Sequence, residues 1–484
     1  MHIPDRVYGI ETEYACMLKK DNQILDAAQW PKSFLLNHMS QYADRTSCVF
    51  TADFKIWHSN GSLSYLDTGN HPEHASAEAR SVRETVLYSQ TGDRIMQDLF
   101  HIMRADGLHV LLFKNNIAPD FDDMSTMRTF GCHENYLVHA KAWEIYRHRN
   151  RIWDVYNHKS FIPFVVTRQI LDGTGSWDHN GRFFLSQRAR CVGGWQDIAL
   201  SINVKFSEGS PRVHLTYGDS SILDMAAFLK IGTTSLALSL VEGNCLPDIT
   251  CVNPRMALLD VSQYGPREKV VYLHSGEKMS AYEIQVLYWE TIRRACKDAI
   301  FDSDEVAAET EIILLRWEQA LNAIAANDMK WMFGHLDWAT KQRLAEREII
   351  NSRDHDTVTH AGIRKTIDLY YHSIADGCMR DRIYARFPER RLFTNEEIAH
   401  ACANPPARTR AKARAMAIRM VIALVPQCIY TIDWHEIRLD TGRGFCEFKM
   451  DDPLNSYEDY IEAIEKNLKN CAPDLLPLEE DYAI

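Results

Sequence analysis

The 484-residue sequence predicts an α+β fold, in which a β-sheet carries polar side chains on one face and helices cover the other. Three observations predict this fold. Residues 6–18 alternate like a strand, three later segments repeat the alternation, and the second half of the chain has helical periodicity. Because several strands would present titratable side chains from one face, we expect the concave side of the sheet to form a site.

The first strand is predicted over Arg6–Leu18. Its apolar side chains, among them Tyr8 and Ile10, fall on one face, while Glu11 and Glu13 fall on the other. Two carboxylates on one strand face repel each other unless a positive charge lies between them. For a single strand, a solvated outer face is the commoner explanation.

Three further segments weaken that explanation, namely Ser62–Asp67, His133–Leu137 and Arg212–Gly218. In each predicted strand, polar or titratable side chains share one face: Tyr65 with Asp67, His133 with Asn135, and Arg212 with His214. Val213 and Leu215 fall on the opposite face of the last strand, as expected for a sheet with one buried side.

Helices are predicted elsewhere. Ser81–Arg104 carries apolar residues at helical spacing, and Asp302–Glu305 resembles the capped start of a helix with an apolar stripe. We assign that stripe to the core, with no functional role.

A boundary is predicted late in the chain. Pro405–Pro406 and the basic run Arg408–Arg414 mark it, and we interpret the run as a solvated helix face rather than a grip for an acidic partner. We expect a large catalytic domain over residues 1–390. A small C-terminal domain over residues 391–484 would end in an acidic helix near Glu458–Lys469.

Composition excludes several classes of protein. The 54 Lys and Arg residues against 66 Asp and Glu residues give a net charge of -12, which argues against a protein held mainly by nucleic acid or anionic lipid. The most apolar stretches are interrupted by Lys230 and Arg419, so no membrane span is expected. The 12 cysteines form no CxxC pair, and acidic residues near the N-terminus do not fit a signal peptide. These features predict reduced thiols in a cytoplasmic protein.

The polar residues favour a hard metal ion. Eight potential oxygen or imidazole ligands lie in polar settings: Glu11, Glu13, Asp67, Glu73, Glu78, His133, Glu134 and His214. Oxygen ligands with few thiols indicate magnesium or manganese rather than zinc. Magnesium held by several carboxylates commonly accompanies nucleotide phosphates.

Phosphate contacts would have to come from single basic residues, because the sequence contains neither a GxxxxGK[ST] loop nor a GxGxxG after a strand. Lys114, Arg188, Lys205 and Arg212 are the candidates. The residues by themselves therefore point to a magnesium- and nucleotide-dependent enzyme.

A series of motifs resembles the Pup ligase and depupylase family. In chain order the motifs are Gly9–Tyr14, Tyr65–Glu73, Phe113–Asn116, Gly131–Leu137, Val166–Gln169, Leu185–Arg188, His214 with Gly218–Ser220, Asn404–Arg410 and Ile432–Trp434. Their order and rough spacing match across nearly the whole chain, so the combination is far more specific than any one motif.

The resemblance implies a fold like that of the carboxylate–amine ligases related to glutamine synthetase. A curved antiparallel sheet would cradle ATP and Mg²⁺, with helices behind it and a small C-terminal domain. Asp67 matches the catalytic aspartate of the family. The resemblance places Glu11, Glu73, His133 and His214 at the metal, and Glu13, Tyr65, Asn135 and Arg188 along the same cradle. Lys205 and Arg212 are taken as further ATP- or phosphate-binding residues.

The activity implied by the resemblance is ATP-dependent ligation. ATP would phosphorylate the C-terminal glutamate side chain of a small Pup-like modifier, and a target lysine would then form the isopeptide bond. Because a lysine amine is protonated at neutral pH, a base is needed, and Asp67 is the candidate. The expected partners are the modifier and lysine-bearing target proteins, with no nucleic acid and no membrane.

Two other classes stay open, since one fold hosts several functions. The first is a depupylase or deamidase, and the second is a non-catalytic binding protein; a ligase for a different carboxylate carrier is also considered. The six positions from Asp67 to Glu73, and Cys132 before His133, resemble the ligase branch.

Three departures from the family pattern leave the modifier and the targets in doubt. Lys205 stands where an arginine is expected, and Trp57–Asn60 and Asp120–Asp123 are unlike the common sequence.

Overall fold

The structure is a computed structural model of the 484-residue chain. It describes residues 1–20, 23–26, 32–67, 69–105, 107–118, 129–143, 160–191, 202–207, 210–352, 356–424, 429–440, 445–459, 462–463 and 466. The Asp120–Asp123 segment and most of the predicted C-terminal helix lie outside these residues.

The described strands and helices confirm an α+β fold in which the strands pair mainly antiparallel, whereas His2–Ile3 and Ile300–Phe301 pair in parallel. The strands are β1 (His2–Ile3), β2 (Tyr8–Glu13), β3 (Ala15–Lys20), β4 (Gln23–Asp26), β5 (Cys48–Phe50), β6 (Ile56–His58), β7 (Leu63–Leu66), β8 (Pro72–Ala75), β9 (His109–Phe113), β10 (Cys132–Leu137), β11 (Ser176–Trp177), β12 (Phe183–Phe184), β13 (Ile202–Ser207), β14 (Ser210–Leu215), β15 (Val271–Tyr272), β16 (Lys278–Met279), β17 (Ile300–Phe301), β18 (Ile429–Ile432), β19 (Glu436–Asp440) and β20 (Phe445–Lys449). The helices are α1 (Lys32–Arg45), α2 (Val82–Ala105), α3 (Ala140–Trp143), α4 (Ile162–Thr167), α5 (Gln169–Asp172), α6 (Asp224–Glu242), α7 (Pro254–Tyr264), α8 (Ala281–Cys296), α9 (Asp304–Ala326), α10 (Met329–Met332), α11 (Asp337–Asn351), α12 (Thr357–Tyr370), α13 (Met379–Arg386), α14 (Asn395–Ala403) and α15 (Arg410–Leu424).

The chain divides into two compact units. We call residues 7–80, 87–111 and 393–484 the terminal unit, and residues 1–6, 81–86 and 112–392 the central unit. The predicted division into residues 1–390 and 391–484 separates the chain at one point only, and it stays a prediction.

The terminal unit is built on a five-stranded antiparallel arrangement in the order β2–β8–β7–β6–β5. Its core joins Trp57 and Leu63 of this arrangement to Val421 of α15 and to Leu439 and Phe448 of the C-terminal strands. Burial of such large apolar side chains supplies the main stabilisation of the unit.

The predicted continuous strand over residues 6–18 is wrong. The strand β2 ends at Glu13 and β3 begins at Ala15, in a separate arrangement ordered β4–β3–β9. The break falls at Tyr14, which is 1% exposed and whose hydroxyl donates to Asp93 Oδ1 at 3.0 Å. Alternation of side chains continues through this residue, so the sequence pattern alone gives no sign of the break.

The prediction that the basic run Arg408–Arg414 is a solvated helix face is also wrong. Arg410 and Arg414 on α15 form ion pairs with Glu78, and the Arg414 guanidinium is buried. Burial alone would raise the pKa of Glu78, but the two guanidiniums outweigh it and hold this pKa at about 2. The run therefore fastens α15 inside the terminal unit.

The Trp57–Asn60 segment belongs to the core of the terminal unit. Trp57, His58 and Asn60 are at most 2% exposed. His58 Nε2 and His74 Nδ1 both lie within hydrogen-bonding distance of Ser64 Oγ, at 2.8 and 2.9 Å. Burial lowers the pKa of both imidazoles, so they remain neutral at physiological pH.

The central unit contains the antiparallel arrangement β10–β14–β13. The alternation predicted for its strands is confirmed, since Val213 and Leu215 are fully buried while Arg212 is half-buried. On β10, Glu134 and Tyr136 are buried, whereas His133 and Asn135 are half-buried.

Helices form the rest of the central unit. The predicted start of α9 is confirmed, because Ser303 is its N-cap and accepts a hydrogen bond from the Val306 N–H. Among the described residues, α6 is the one helix with the length and composition to cross a membrane, and 94% of its apolar window is buried inside the protein. This burial is what a core helix shows.

Candidate active site

A cluster of carboxylates lies on the antiparallel strands of the terminal unit. Glu13 on β2 is opposite Glu73 on β8, and Tyr65 on β7 is opposite Glu73 from the other side. Asp67 follows β7, and carboxylate oxygens of Glu13, Asp67 and Glu73 all lie within 4.8 Å of one another. Three residues predicted separately from sequence are therefore neighbours.

A tight turn holds Asp67 at the end of this row. The Asp67 N–H donates to the His71 carbonyl at 2.9 Å, and the Asn70 N–H donates to the Asp67 carbonyl at 3.0 Å. Gly69 has a φ of +88° and Asn70 a φ of +62°, a left-handed region that glycine and asparagine tolerate best. The glycine in the motif is thus needed to turn the chain back into β8.

The electrostatics of the cluster favour a cation. Burial raises the pKa of Glu73 well above its usual range, and the charges of Glu11, Glu13 and Asp67 raise it further. Burial and the neighbouring Glu73 also raise the pKa of Tyr65. A set of buried like charges is unfavourable unless something neutralises it, and oxygen donors of this kind suit Mg²⁺.

Glu11 completes the acidic face of β2. It lies two residues before Glu13, on the same side of the strand, and is opposite Ala75 of β8. Because its charge contributes to the raised pKa of Glu73, its carboxylate belongs to the same electrostatic environment.

The central unit carries a second set of predicted site residues on β10 and β14. The rings of His133 and His214 have centroids 5.1 Å apart. Asn135 is opposite His214, and its Oδ1 lies 2.8 Å from His214 Nδ1 and accepts a hydrogen bond from the Arg212 guanidinium. Lys205 on β13 is exposed and lies opposite Arg212. This row of imidazole, amide and cationic groups can bind anionic oxygens and a metal ion.

Arg188 lies in the 3-10 turn that follows β12 and joins two segments of the central unit. Its guanidinium is buried and donates to the carbonyls of Phe130 at 3.1 Å and Thr216 at 2.7 Å. Asp219 fixes the same turn, because its carboxylate accepts the N–H groups of Gln187 and Arg188. Arg188 therefore holds the loop before β10 to the end of β14.

Two of the eight candidate metal ligands are used in ion pairs instead. Glu78 pairs with Arg410 and Arg414 as described above. Glu134 is fully buried and accepts from both terminal nitrogens of Arg168, at 2.9 and 2.7 Å. Both are structural charges, which sequence could not reveal because their partners are distant along the chain.

His71 is a residue of this cluster for which the sequence predicted no role. Its Nδ1 lies 3.5 Å from Glu13 Oε2, and its backbone carbonyl closes the turn of Asp67. Its place between Asp67 and Glu73 in the motif was the signal that could have identified it.

Comparisons with known proteins identify a family. The family described as Pup-ligase protein matches residues 6–438 of the chain. The Pup–protein ligase of Acidimicrobium ferrooxidans is 30% identical over 486 residues, covering 95% of this chain and 98% of that protein. The Pup–protein ligase of Xylanimonas cellulosilytica is 30% identical over 487 residues, covering 96% and 99%.

Solved structures match in fold. The crystal structure of the complex between the prokaryotic ubiquitin-like protein Pup and its ligase PafA aligns with a TM-score of 0.77 at 24% identity, covering 96% of this chain and 93% of that chain. The structure of PafA in complex with ADP aligns with a TM-score of 0.72 at 24% identity, covering 91% and 94%.

Proposed function

Because this chain belongs to the Pup-ligase family, we infer that it is an ATP-dependent ligase that joins a Pup-like protein modifier to target lysines. The bond formed is an isopeptide between the side-chain carboxylate of the modifier's C-terminal glutamate and the lysine amine. The observation that carries the chemistry is the carboxylate cluster of Glu13, Asp67 and Glu73. The alternative considered from sequence, amide hydrolysis on the same fold, is not favoured, since the matching relatives are ligases.

Mg²⁺ fits the donor set of this protein. Glu11 and Glu73 offer carboxylates in a buried, negatively charged setting, and His133 and His214 offer imidazoles from β10 and β14. We assign these four residues to the metal, two as carboxylate ligands of the kind that Mg²⁺ prefers and two as imidazoles. When bound, Mg²⁺ neutralises charge on the phosphoryl group that is transferred.

The remaining predicted residues are assigned to ATP. Arg212 and Lys205 supply positive charge for phosphate oxygens, and Asn135 orients Arg212 and His214 through one shared oxygen. Glu13 and Tyr65 line the carboxylate row. Arg188 contributes by fixing the start of β10 and the end of β14, through the Phe130 and Thr216 carbonyls that its guanidinium holds.

The chemistry proceeds in two steps. The glutamate carboxylate of the modifier attacks the γ-phosphorus of ATP, so that a glutamyl phosphate forms and ADP leaves. The target amine then attacks the acyl carbon, the C–O bond to phosphate breaks, and inorganic phosphate leaves. The amine must first lose a proton, and the Asp67 carboxylate, the most exposed of the three, accepts it.

The cytoplasm is the proposed location. None of the described cysteines forms a disulfide, as expected where thiols stay reduced.

A conjugation assay tests the proposed function. The protein is mixed with ATP, Mg²⁺, a Pup-like peptide ending in glutamate and a lysine-rich acceptor, and mass spectrometry detects the conjugate while ADP is measured. The function predicts conjugate and ADP in equal amounts. Cleavage of a preformed conjugate with ATP intact, and no ligation, would contradict it.

A further inference from the structure

A buried ion pair lies behind the strand that carries His133 and Asn135. Glu134 stands between these two residues on β10, so its side chain points to the opposite, buried face. There its two carboxylate oxygens accept hydrogen bonds from the two terminal nitrogens of Arg168, at 2.9 and 2.7 Å. Both side chains are fully buried. The pair is therefore placed to fix the strand from behind.

The helices behind the sheet hold the guanidinium in turn. Arg168 lies at the junction of α4 and α5, as the C-cap of the first helix and the N-cap of the second. Its Nη1 also donates to Thr234 Oγ1 on α6, and its Nε lies 2.9 Å from Asp172 Oδ2 on α5. Burial alone would raise the pKa of Glu134, but Arg168 and Lys230 outweigh burial and lower this pKa. The carboxylate is therefore ionised at neutral pH, and charge-assisted hydrogen bonds join β10 to the helices.

The same pair contacts the segment that follows β14. The guanidinium carbon of Arg168 lies 5.1 Å from the centre of the Tyr217 ring, three residues after His214. At Gly218, a Cβ would lie 2.5 Å from Glu134 Oε1 and 3.2 Å from Arg168 Nη2. The backbone passes so close to the pair that a larger residue would displace a charged atom. One ion pair therefore contacts β10 and the chain that leaves β14.

Three of the motifs found in the sequence meet at this pair. Gly131–Leu137 supplies Glu134, Val166–Gln169 supplies Arg168, and Gly218–Ser220 supplies the close backbone. The second of these motifs contributes no residue to the metal, ATP or catalytic groups assigned above. Its arginine therefore needs a role behind the sheet.

We propose that Arg168 is a positioning residue for the metal site, which sets the separation of the His133 and His214 imidazoles by holding β10 and the end of β14 together. The centroids of these rings lie 5.1 Å apart, on the face of the strands opposite the ion pair. Residues that orient metal ligands without touching the metal change its affinity by about ten- to hundredfold. The proposal rests on the assignment of these imidazoles to the metal, and it adds a residue that contacts neither metal nor substrate.

Binding of Mn²⁺ to the full-length protein without nucleotide tests this proposal, with the free ion measured by electron paramagnetic resonance. The main variant is Arg168→Lys, which keeps the positive charge beside Glu134 but loses the two-point hold. We expect its affinity for Mn²⁺ to fall about tenfold, while saturating Mg²⁺ restores most of kcat in the conjugation assay. A role in folding alone would instead lower the amount of active protein and leave the affinity of the folded protein unchanged.

Two more variants locate the effect. Gly218→Ala keeps every charge, but its Cβ displaces Glu134 Oε1, so it should also weaken Mn²⁺ binding. Arg414→Lys is the matched control, since it makes the same substitution in a buried Arg–Glu pair within the terminal unit, and it should bind Mn²⁺ like the parent. Thermal unfolding in chelator measures the stability of each variant, so that affinities are compared between folded proteins.

Parent-like affinity in folded Arg168→Lys would overturn the proposal, as would an equal loss in Arg414→Lys. If Arg168→Lys does not fold, parent-like affinity in Gly218→Ala overturns it instead. His133→Ala separates these results from failure of the metal assignment. If this variant binds Mn²⁺ like the parent, the assignment and the proposal both fail. If it binds more weakly while Arg168→Lys binds like the parent, the proposal alone fails.

Discussion

Glu13 and Glu73 lie opposite each other on neighbouring antiparallel strands, and both side chains are buried. Opposed like charges on a sheet are destabilising, the more so away from water. The arrangement persists here beside a third carboxylate, Asp67. Such a site gains stability from a bound cation.

Replacing Glu73 by Gln should separate stability from metal binding. Because burial and neighbouring charges raise the pKa of Glu73 above its ordinary value, its ionised form costs stability once pH exceeds that ordinary value. In chelator, the Gln variant should therefore melt at a higher temperature than the parent at neutral pH. With Mg²⁺ and ATP, it should bind nucleotide about tenfold more weakly or worse. Equal Mg²⁺-dependent affinity in the two proteins would refute the metal assignment.

Replacing Gly69 by Ala should damage catalysis more than nucleotide binding. Gly69 has a φ of +88°, and its added Cβ would meet the His71 ring at 3.2 Å. The turn that positions Asp67 would shift, so we expect kcat to fall while the affinity for ATP stays near that of the parent. Gly69→Asn is the control, since asparagine tolerates this backbone region better and should keep more activity. Equal activity of the alanine variant would show that the turn does not position Asp67.

Replacing Glu78 by Gln should destabilise the protein by about 3 kcal/mol or more, because it leaves Arg414 buried without its anion. The pKa of Glu78 is about 2, below its ordinary 4.5, so the stability from this pair is complete above pH 4.5 and is lost as pH falls towards 2. Denaturant unfolding at several pH values measures both effects. Glu447→Gln, at an exposed ion pair with Arg438, should change stability little. A similarly small loss of stability in the Glu78→Gln variant would contradict the structural role given to this ion pair.

Replacing Cys132 by Ser should leave the direction of the reaction unchanged. The sequence associated this cysteine with the ligase branch, but its side chain is buried on the opposite face from His133 and lies 3.2 Å from Lys230 Nζ. Because Cys132 lies on the opposite face of the strand from His133, it does not determine whether an amine or water attacks. Conjugation within a few-fold of the parent is expected; conversion to a hydrolase would contradict this account.

Sequence patterns correctly predicted the features that depend on neighbouring residues, such as strand faces and helix starts. The faces of β10 and β14 followed from alternation, and the start of α9 followed from the capping residue Ser303. The motif Tyr65–Glu73, which the family resemblance singled out, forms one hairpin, so Tyr65, Asp67 and Glu73 are neighbours in the fold as they are in the sequence.

Ion pairs and hydrogen bonds between residues far apart in the sequence could not be predicted from such patterns. Glu78 looked like a metal ligand because Arg414, which neutralises it, is 336 residues away. The carbonyls that Arg188 holds lie on two other segments, and no sequence pattern indicated these contacts. Whether a charged residue binds a ligand or forms a structural ion pair depends on which distant residues lie beside it in the fold. Hydrophobic periodicity in the sequence contains no information about those distant residues.

The central claim is that Asp67 removes a proton from the target amine, and a comparison of two nucleophiles tests it most directly. Hydroxylamine is largely unprotonated at neutral pH, whereas lysine is protonated and needs a base. With ATP, Mg²⁺ and the modifier peptide, Asp67→Asn should form the lysine conjugate about a hundredfold more slowly or worse, yet form the hydroxamate at nearly the parent's rate. Equal loss with both nucleophiles, or normal lysine conjugation, would contradict the role given to Asp67.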